Sequence, residues 1–173
     1  PVPFAETIPM RDVARMVTPF VDRFQQDMLP GQEPGVFDLG PARLGLGLCF
    51  DVAYDDVVTG AVRDGATLLA VPTNNAWFGH SEMSYQQLAM SQLRAVEHSR
   101  SVVVSATSGV SAIVLPDGDV EHATERFTER NLVADVPLRS ERTLASRLGG
   151  LPSWVLALTG VGAVLWTVRR RPG

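Results

Sequence analysis

The sequence predicts an α/β domain in which short buried strands alternate with helices. Apolar runs at 42–50 and 66–73 are each followed by a segment with apolar residues at helical spacing. The composition, 45% hydrophobic and 20% charged over 173 residues, is that of one domain large enough to form a packed core. Strands that alternate with helices form parallel sheets, and such sheets place functional sites at the carboxyl ends of their strands.

Hydrophobic periodicity and turn residues place the individual elements. Apolar runs predict buried strands, and Gly65 is expected to end the helix that begins after the first of them. Leu88, Leu93 and Val96 are expected near one face of the longest helix. In chain order, the predicted elements are a helix at 11–26, a strand at 42–50, a helix at 51–64, a strand at 66–73, a loop at 74–79, a helix at 82–99, strands at 101–105 and 110–115, a turn at 116–119, and strands at 119–123 and 131–136.

The charged residues argue against several classes of function. The chain has 15 basic residues, all arginine, against 19 acidic residues, and its net charge of −4 argues against a nucleic-acid-binding protein. Because the sequence contains no lysine, no residue of this chain can act as a lysine nucleophile, base or Schiff base. No nucleotide-binding or metal-binding motif is present, so we expect no cofactor and no metal.

The C-terminal residues have the composition of a membrane span. Residues 148–168 carry no formal charge, Trp154 and Trp166 lie near the two ends of this segment, and three arginines follow it. We therefore predict a transmembrane helix at 148–168, a basic cytoplasmic tail at 169–173, and an extracytoplasmic domain at 1–145. The alternative interpretation of the apolar segment is a buried helix at the end of the domain.

Cys49, the only cysteine, is the main candidate for catalysis. A single cysteine excludes an internal disulfide bond and a multi-thiolate zinc site. Cys49 ends a predicted strand and precedes a helix, a position that exposes a nucleophile and favours a thiolate. There the backbone N–H of Phe50 would point toward a developing oxyanion, and Asp51 would cap the helix, a role compatible with a catalytic one. The spacing favours none of the histidines as a base for this thiol: His80, His98 and His122.

Five segments together resemble the nitrilase superfamily of carbon–nitrogen hydrolases. PVPFAETIP, LGLCFD, PTNNAWFG, QLRAVEHSR and SATSGVSAIVLPDG occur in the order and approximate spacing of that superfamily, most similar to its membrane-bound branch, the apolipoprotein N-acyltransferases. The resemblance implies an αββα sandwich, of which this chain is the C-terminal part, and a Glu-Lys-Cys triad. It also implies transfer of a fatty acyl chain from a phospholipid to diacylglyceryl apolipoproteins at the bacterial cell membrane, through a cysteine thioester.

The resemblance also assigns roles to particular residues of this chain. Cys49 matches the nucleophile, and Glu6 matches a glutamate that supports the lysine and the thiol rather than acting as the base. Trp77 and Phe78 would line the loop near the acyl group, and Glu97 matches a support residue on the long helix. Asp51 matches the acidic position after the nucleophile, where the family commonly has glutamate.

The other two members of the implied triad have no match in this chain. Both the base glutamate and the lysine would precede Pro1, so the chain is expected to be a fragment that is inactive alone. Two other functions remain open at this point. One is a membrane-anchored carbon–nitrogen hydrolase that passes the acyl group to water, and the other is a degenerate, non-catalytic module.

Overall fold

The computed structural model describes residues 6–18, 21–22, 27–29, 31, 33 and 35–169. Two short 3-10 helices, Cys49–Ala53 and Ala76–Phe78, follow the second and third strands. In chain order, the other elements are α1 (Arg11–Val17), β1 (Val36–Leu39), β2 (Ala42–Leu46), α2 (Asp55–Arg63), β3 (Leu68–Thr73), α3 (Met83–His98), β4 (Val102–Ala106), β5 (Ala112–Val114), β6 (Val120–Ala123), α4 (Leu144–Leu148) and α5 (Leu151–Arg169).

The strands form one six-stranded sheet in the order β1-β2-β3-β4-β5-β6. At its centre β2, β3 and β4 are parallel, with Gly45 opposite Leu69 and Leu69 opposite Val102. The outer strands β1, β5 and β6 extend the sheet by antiparallel pairing. The predicted α/β class is confirmed, and the three parallel strands bring their carboxyl ends to one edge of the sheet.

Helices α2 and α3 connect the parallel strands and cover one face of the sheet. Buried aliphatic side chains from both layers, such as Val62 of α2 and Val71 of β3, form the core between them. The layers approach closely at Gly45, where a Cβ atom would lie 2.8 Å from the Cβ atom of Ala66. A larger residue there would push α2 away from the strand that leads to Cys49.

The opposite face of the sheet is only half-buried. Leu68, Ala70 and Val103 lie on this face, and each is partly exposed while its neighbours along the strand are buried. Phe37 and Leu39 of β1 are exposed. The described residues therefore form one sheet with one helix layer, which is half of the predicted αββα sandwich.

Several elements differ from the prediction at their ends or in kind. The predicted helix at 51–64 becomes a 3-10 turn followed by α2, because Tyr54 takes an extended backbone conformation between them. β1 was not predicted; it pairs with β2 across a turn in which Gly40 has a φ of 80°. The predicted helix at 11–26 ends at Val17, and part of its remainder lies outside the described residues.

The predicted strand at 131–136 is wrong. These residues have no regular secondary structure, although exposed and half-buried positions alternate along them. A segment with alternating exposure forms a β-strand only where a neighbouring strand supplies the hydrogen-bonding partners. The segment after it is held by single contacts instead, such as the hydrogen bond that the Arg139 N–H donates to the Thr67 carbonyl.

The buried face of α3 is largely polar, which the sequence did not predict. Leu93 and Val96, expected near one face with Leu88, are 62% and 52% exposed. The buried positions include Gln87 and Arg94 instead. These polar side chains are buried because the surrounding chain satisfies them with hydrogen bonds, which are described below.

The segment predicted to span a membrane forms α5, but the helix begins later than predicted, at Leu151. Gly149, with a φ of 53°, separates it from α4. Within the described part of the chain, no helix combines the length and apolar character needed to cross a membrane. The predicted transmembrane helix at 148–168 is therefore not supported. The cytoplasmic tail at 169–173 stays a prediction, and residues 170–173 lie outside the described residues.

His98, at the end of α3, fixes α4 to the domain. Its ring is fully buried, and Nδ1 lies 2.8 Å from Oγ of Ser146 in α4. The Ser146 hydroxyl also lies 3.0 Å from Oγ1 of Thr143, which caps α4 by accepting a hydrogen bond from the Ser146 N–H. Burial lowers the pKa of His98 below its ordinary value of 6.5.

This burial makes the stability of the domain depend on pH. The lowering of the His98 pKa by burial is opposed by the nearby Glu97 and Asp55 carboxylates and reinforced by the Arg94 and Arg100 guanidiniums. The folded state keeps His98 neutral, whereas the unfolded chain takes up a proton at this histidine below about pH 6.5. The contribution of neutral His98 to the free energy of unfolding is therefore complete above that pH and is lost as the pH falls. We expect the urea midpoint to drop between about pH 7.5 and about pH 5.5, and to drop less in His98→Gln.

The control for this measurement is His122→Gln, which changes an exposed histidine of β6. Its urea midpoint should fall with pH as far as that of the unmodified chain. An equal fall in His98→Gln and in the unmodified chain would show that His98 does not cause the pH dependence.

Candidate active site at the carboxyl edge of the sheet

Cys49 lies three residues after the end of β2, at the edge where the parallel strands end. Its φ of 52° puts it in the left-handed region, which costs a non-glycine residue about 1–2 kcal/mol. The side chain is half-buried, so the sulfur is neither enclosed in the core nor fully in solvent. A strained turn between a strand and a helix, with a nucleophilic residue at its apex, is the arrangement that exposes an attacking atom at the edge of a sheet.

Several side chains hold this turn from the outside. Oδ2 of Asp51 accepts a hydrogen bond from the Leu48 N–H at 3.0 Å, so Asp51 closes the turn around Cys49. Arg94 of α3 donates to the carbonyl of Val52 at 2.8 Å and to that of Ala53 at 3.1 Å. The turn is therefore fixed on both sides of the cysteine.

Glu97 acts on this turn through Arg94. Its carboxylate forms an ion pair with the Arg94 guanidinium, and Asp55 forms a second ion pair with the same group at 2.6 Å. Arg94 is almost fully buried, and both carboxylates compensate its charge. Glu97 therefore contacts this turn through Arg94, one helical turn away, and its role as a support residue stays a prediction.

A buried polar network that the sequence did not predict lies beneath Cys49. Nε2 of Gln87 donates to the Cys49 carbonyl at 2.8 Å, and Oε1 of Gln87 accepts from Nδ2 of Asn75 at 2.6 Å. The Thr73 hydroxyl lies 3.2 Å from the Cys49 sulfur and 3.2 Å from Oε1 of Gln87. Thr73, Asn75 and Gln87 are all buried, so these bonds form away from water, where they are strongest.

The glycine at position 109 makes room for this network. A Cβ atom at Gly109 would lie 2.4 Å from Oδ1 of Asn75, which is closer than two such atoms can approach. A side chain at this position would therefore displace the asparagine that fixes Gln87. Asn74, the residue before Asn75, contacts the adjacent loop instead, where its Oδ1 accepts a hydrogen bond from the Thr107 hydroxyl at 2.9 Å.

An open cleft of about 360 Å³ adjoins the network. Thr73, whose hydroxyl lies 3.2 Å from the sulfur, forms part of its wall. The remaining lining comes from the ends of β3 and β4 and from the residue before the cysteine: Leu48, Pro72, Asn74, Ser105, Ala106 and Thr107.

The loop residues expected near an acyl group lie on the 3-10 helix after β3. Trp77 is 94% exposed, and Phe78 is half-buried. Phe50 is also half-buried, with its ring edge-on to Tyr54 at a centroid distance of 6.3 Å. The proposed contacts of Trp77 and Phe78 with substrate, and of the Phe50 N–H with an oxyanion, stay predictions.

Glu6 lies in a turn of the N-terminal segment, where its carbonyl accepts a hydrogen bond from the Met28 N–H at 2.8 Å. Its role beside the thiol stays a prediction. Of the three histidines, His98 is buried against α4, His122 is exposed on β6, and His80 contacts the Phe127 ring at a centroid distance of 4.6 Å. No hydrogen bond of the described residues joins a histidine to Cys49.

Metal chemistry has no evident site in the part of the chain that the structure describes. No group of three or more histidine, cysteine, aspartate or glutamate side chains is close enough together there to hold a metal ion. The chemistry that the arrangement supports is nucleophilic attack by a thiolate, with hydroxyl and amide donors close to the sulfur.

The chain is similar to proteins of known name over almost its whole length. The chain is 38% identical over 163 residues to an apolipoprotein N-acyltransferase of Mycolicibacterium smegmatis, covering 94% of this chain and 27% of the relative. It is 32% identical over 173 residues to an apolipoprotein N-acyltransferase of Geobacter metallireducens, covering 98% of this chain and 32% of that protein. The chain thus spans about a quarter to a third of the length of these relatives.

A solved structure and a family model complete the comparison. Nit3 of Saccharomyces cerevisiae, a member of branch 10 of the nitrilase superfamily, has the same fold, with a TM-score of 0.52 at 18% identity over 62% of this chain and 42% of that one. The carbon-nitrogen hydrolase model matches residues 6–145, which include every strand of the sheet and the turn at Cys49. On that match, the chain belongs to the carbon–nitrogen hydrolase family.

Proposed function

We propose that this chain supplies the cysteine nucleophile of an N-acyltransferase. The acyl donor is a phospholipid, and the acceptor is the α-amine of the N-terminal S-diacylglyceryl cysteine of an apolipoprotein. The observation that carries the proposal is the strained, half-buried Cys49, whose sulfur lies 3.2 Å from the Thr73 hydroxyl at the carboxyl edge of the sheet. The choice of acyl transfer is supported by relatives named apolipoprotein N-acyltransferase.

The proposed reaction has two steps. The Cys49 thiolate attacks the ester carbonyl of the phospholipid, a C–S bond forms, and the C–O bond breaks to release a lysophospholipid, which takes up a proton. The α-amine of the acceptor then attacks the thioester, an amide bond forms, and the thiol is regenerated. Transfer through a covalent intermediate predicts ping-pong kinetics.

Other groups complete the proposed site. The Phe50 N–H stabilises the tetrahedral oxyanion, Trp77 and Phe78 line the acyl path, and Glu6 supports the thiol. The resemblance implies a base glutamate and a lysine as well, and this chain contains no lysine. We therefore propose that the chain does not transfer acyl groups by itself.

The proposed substrates place the reaction at the bacterial cell membrane. Both the donor and the acceptor carry fatty acyl chains, which stay in a bilayer, so the site must act at its surface. Because the acceptors are lipoproteins, we propose that the catalytic domain works on the extracytoplasmic side.

Hydrolysis is the second candidate function. It is favoured by the match to the carbon-nitrogen hydrolase model, because the same thioester could pass its acyl group to water. The two candidates share Cys49 and its thioester and differ in the acceptor, and a hydrolase would also take an amide as its acyl donor.

Mass spectrometry of lipoprotein N-termini tests the proposal. The complete gene would be expressed in a bacterium whose own apolipoprotein N-acyltransferase gene is deleted. We expect N-acylated lipoproteins to reappear, and the Cys49→Ala variant to leave the α-amines free. Free amines in both strains, with the protein present in the membrane fraction, would refute acyl transfer. Release of free fatty acid or ammonia from amide substrates would then support hydrolysis.

A further inference from the structure

The position of the Thr73 hydroxyl has a consequence for the chemistry of Cys49. Oγ1 of Thr73 lies 3.2 Å from two acceptors, the Cys49 sulfur and Oε1 of Gln87. A hydroxyl group has one proton, so it donates to one of these acceptors at a time. Thr73 is 6% exposed, so these two acceptors are its main hydrogen-bonding partners in the fold.

The side-chain amide of Gln87 cannot rotate to present a donor to Thr73 in place of an acceptor. Its Nε2 donates to the Cys49 carbonyl at 2.8 Å, and its Oε1 accepts from Nδ2 of Asn75 at 2.6 Å. If the oxygen and nitrogen of this amide were exchanged, the Gln87 oxygen would face the Cys49 carbonyl oxygen, and the Gln87 NH2 group would face the NH2 group of Asn75. Oε1 of Gln87 therefore stays directed at Thr73 as an acceptor, whatever the state of the sulfur.

We propose that Thr73 is a catalytic residue whose hydroxyl turns from Gln87 to Cys49 when the thiol ionises. In the neutral state the Cys49 S–H donates to Oγ1, and the hydroxyl donates to Oε1 of Gln87. When the thiol proton passes to a base, the hydroxyl rotates about its Cβ–Oγ1 bond and donates to the thiolate. Oε1 of Gln87 keeps its bond from Asn75, so the switch leaves no buried group without a partner.

The switch stabilises the thiolate by a charge-assisted hydrogen bond, without movement of any heavy atom. A second donor, Nε2 of Gln87, lies 3.9 Å from the sulfur and adds a weaker attraction. The proposal rests on the proposed role of Cys49 as the nucleophile. It differs from a purely structural role, in which Thr73 fills space and satisfies Gln87, because only a switch changes the pH at which the sulfur becomes reactive.

Alkylation of the single cysteine by iodoacetamide measures this directly. The reaction forms an S–C bond, releases iodide, and consumes the thiolate. Rates would be measured by intact-mass spectrometry from about pH 6 to about pH 10. In Thr73→Val we expect the rate near pH 7 to fall about tenfold and the profile to move up by about one pH unit, with the same plateau at high pH. Thr73→Ser keeps the hydroxyl and should keep the original profile.

The matched control is Thr124→Val. Thr124 is also a buried threonine, and its hydroxyl accepts a hydrogen bond from the Ser111 N–H, so its loss should destabilise the domain without touching Cys49. An unchanged profile in Thr73→Val, or an equal shift in Thr124→Val, would overturn the switch. If Thr73→Val does not fold, Thr73→Ala is compared with Thr73→Ser in the same way.

The result is separable from the proposed function. Absence of N-acylated lipoproteins together with a shifted alkylation profile would refute the acyl transfer and leave the switch in place. Restored lipoprotein acylation together with an unshifted profile would do the reverse.

Discussion

Replacing Cys49 with alanine is expected to abolish formation of the acyl-enzyme. Cys49 carries the only thiol among these 173 residues, so no other residue of this chain can form a thioester. Serine should fail too, because its hydroxyl is a poor nucleophile without a strong adjacent base. From the effect of removing nucleophiles in other enzymes, we expect the rate of acyl transfer to fall by ~10⁴-fold or more. Intact-mass spectrometry after incubation of the complete gene product with phospholipid would detect the added acyl mass.

The control for this substitution is Ser140→Ala, an exposed position remote in sequence from the cysteine. It should acquire the acyl mass at the original rate. An acyl adduct of full stoichiometry on the Cys49→Ala protein would show that the nucleophile has been misassigned.

Replacing Gln87 with leucine is expected to have the second largest effect. Leucine fills a similar volume but leaves the Cys49 carbonyl and Nδ2 of Asn75 without their partners. Each buried polar group left unpaired costs about 1–3 kcal/mol, so the free energy of unfolding should fall by about 2–5 kcal/mol. The left-handed backbone at Cys49 also loses the hydrogen bond from Gln87 that holds it, so the alkylation rate of the folded chain should fall toward that of the unfolded chain.

Gln86→Leu provides the matched control, because Gln86 is the preceding residue of α3 and is exposed. Urea unfolding and iodoacetamide alkylation would be measured on both variants of this chain. Equal urea midpoints for the two variants would show that the network beneath the cysteine does not contribute to stability.

The central part of the fold was predictable because its signals are local. The apolar runs that form β2 and β3 and the helical spacing in α3 each lie within one segment, and Gly65 ends the region of α2 as expected. β2 was predicted to extend to residue 50, but it ends at Leu46, and Cys49 lies three residues further on. The carboxyl-edge rule for parallel sheets directs attention to this edge, and the catalytic role of Cys49 stays a prediction.

The network around the cysteine could not be predicted in this way. Thr73 and Gln87 lie 24 and 38 residues after Cys49, and no local pattern relates them. One signal was present: Ser84, Gln87 and Ser91 recur at helical spacing among the apolar residues of α3. Polar residues on a buried helix face indicate hydrogen-bonding partners elsewhere in the fold, but they do not say where.

The apolar segment at the C-terminus shows the limit of composition as evidence. An uncharged run with flanking tryptophans and arginines predicted a span at 148–168, whereas the helix begins at Leu151 after the break at Gly149. Helix boundaries depend on backbone conformation, which an apolar composition does not specify.

The groups that hold the turn at Cys49 all come later in the chain. Asp51 closes it, the end of β3 contacts the sulfur, and α3 supplies both Gln87 and Arg94. Because a ribosome synthesises the chain from its N-terminus, the turn at Cys49 cannot form all of these contacts until α3 has been synthesised. Before that point the turn lacks these contacts, so the local structure around the sulfur is completed only after translation has passed well beyond Cys49.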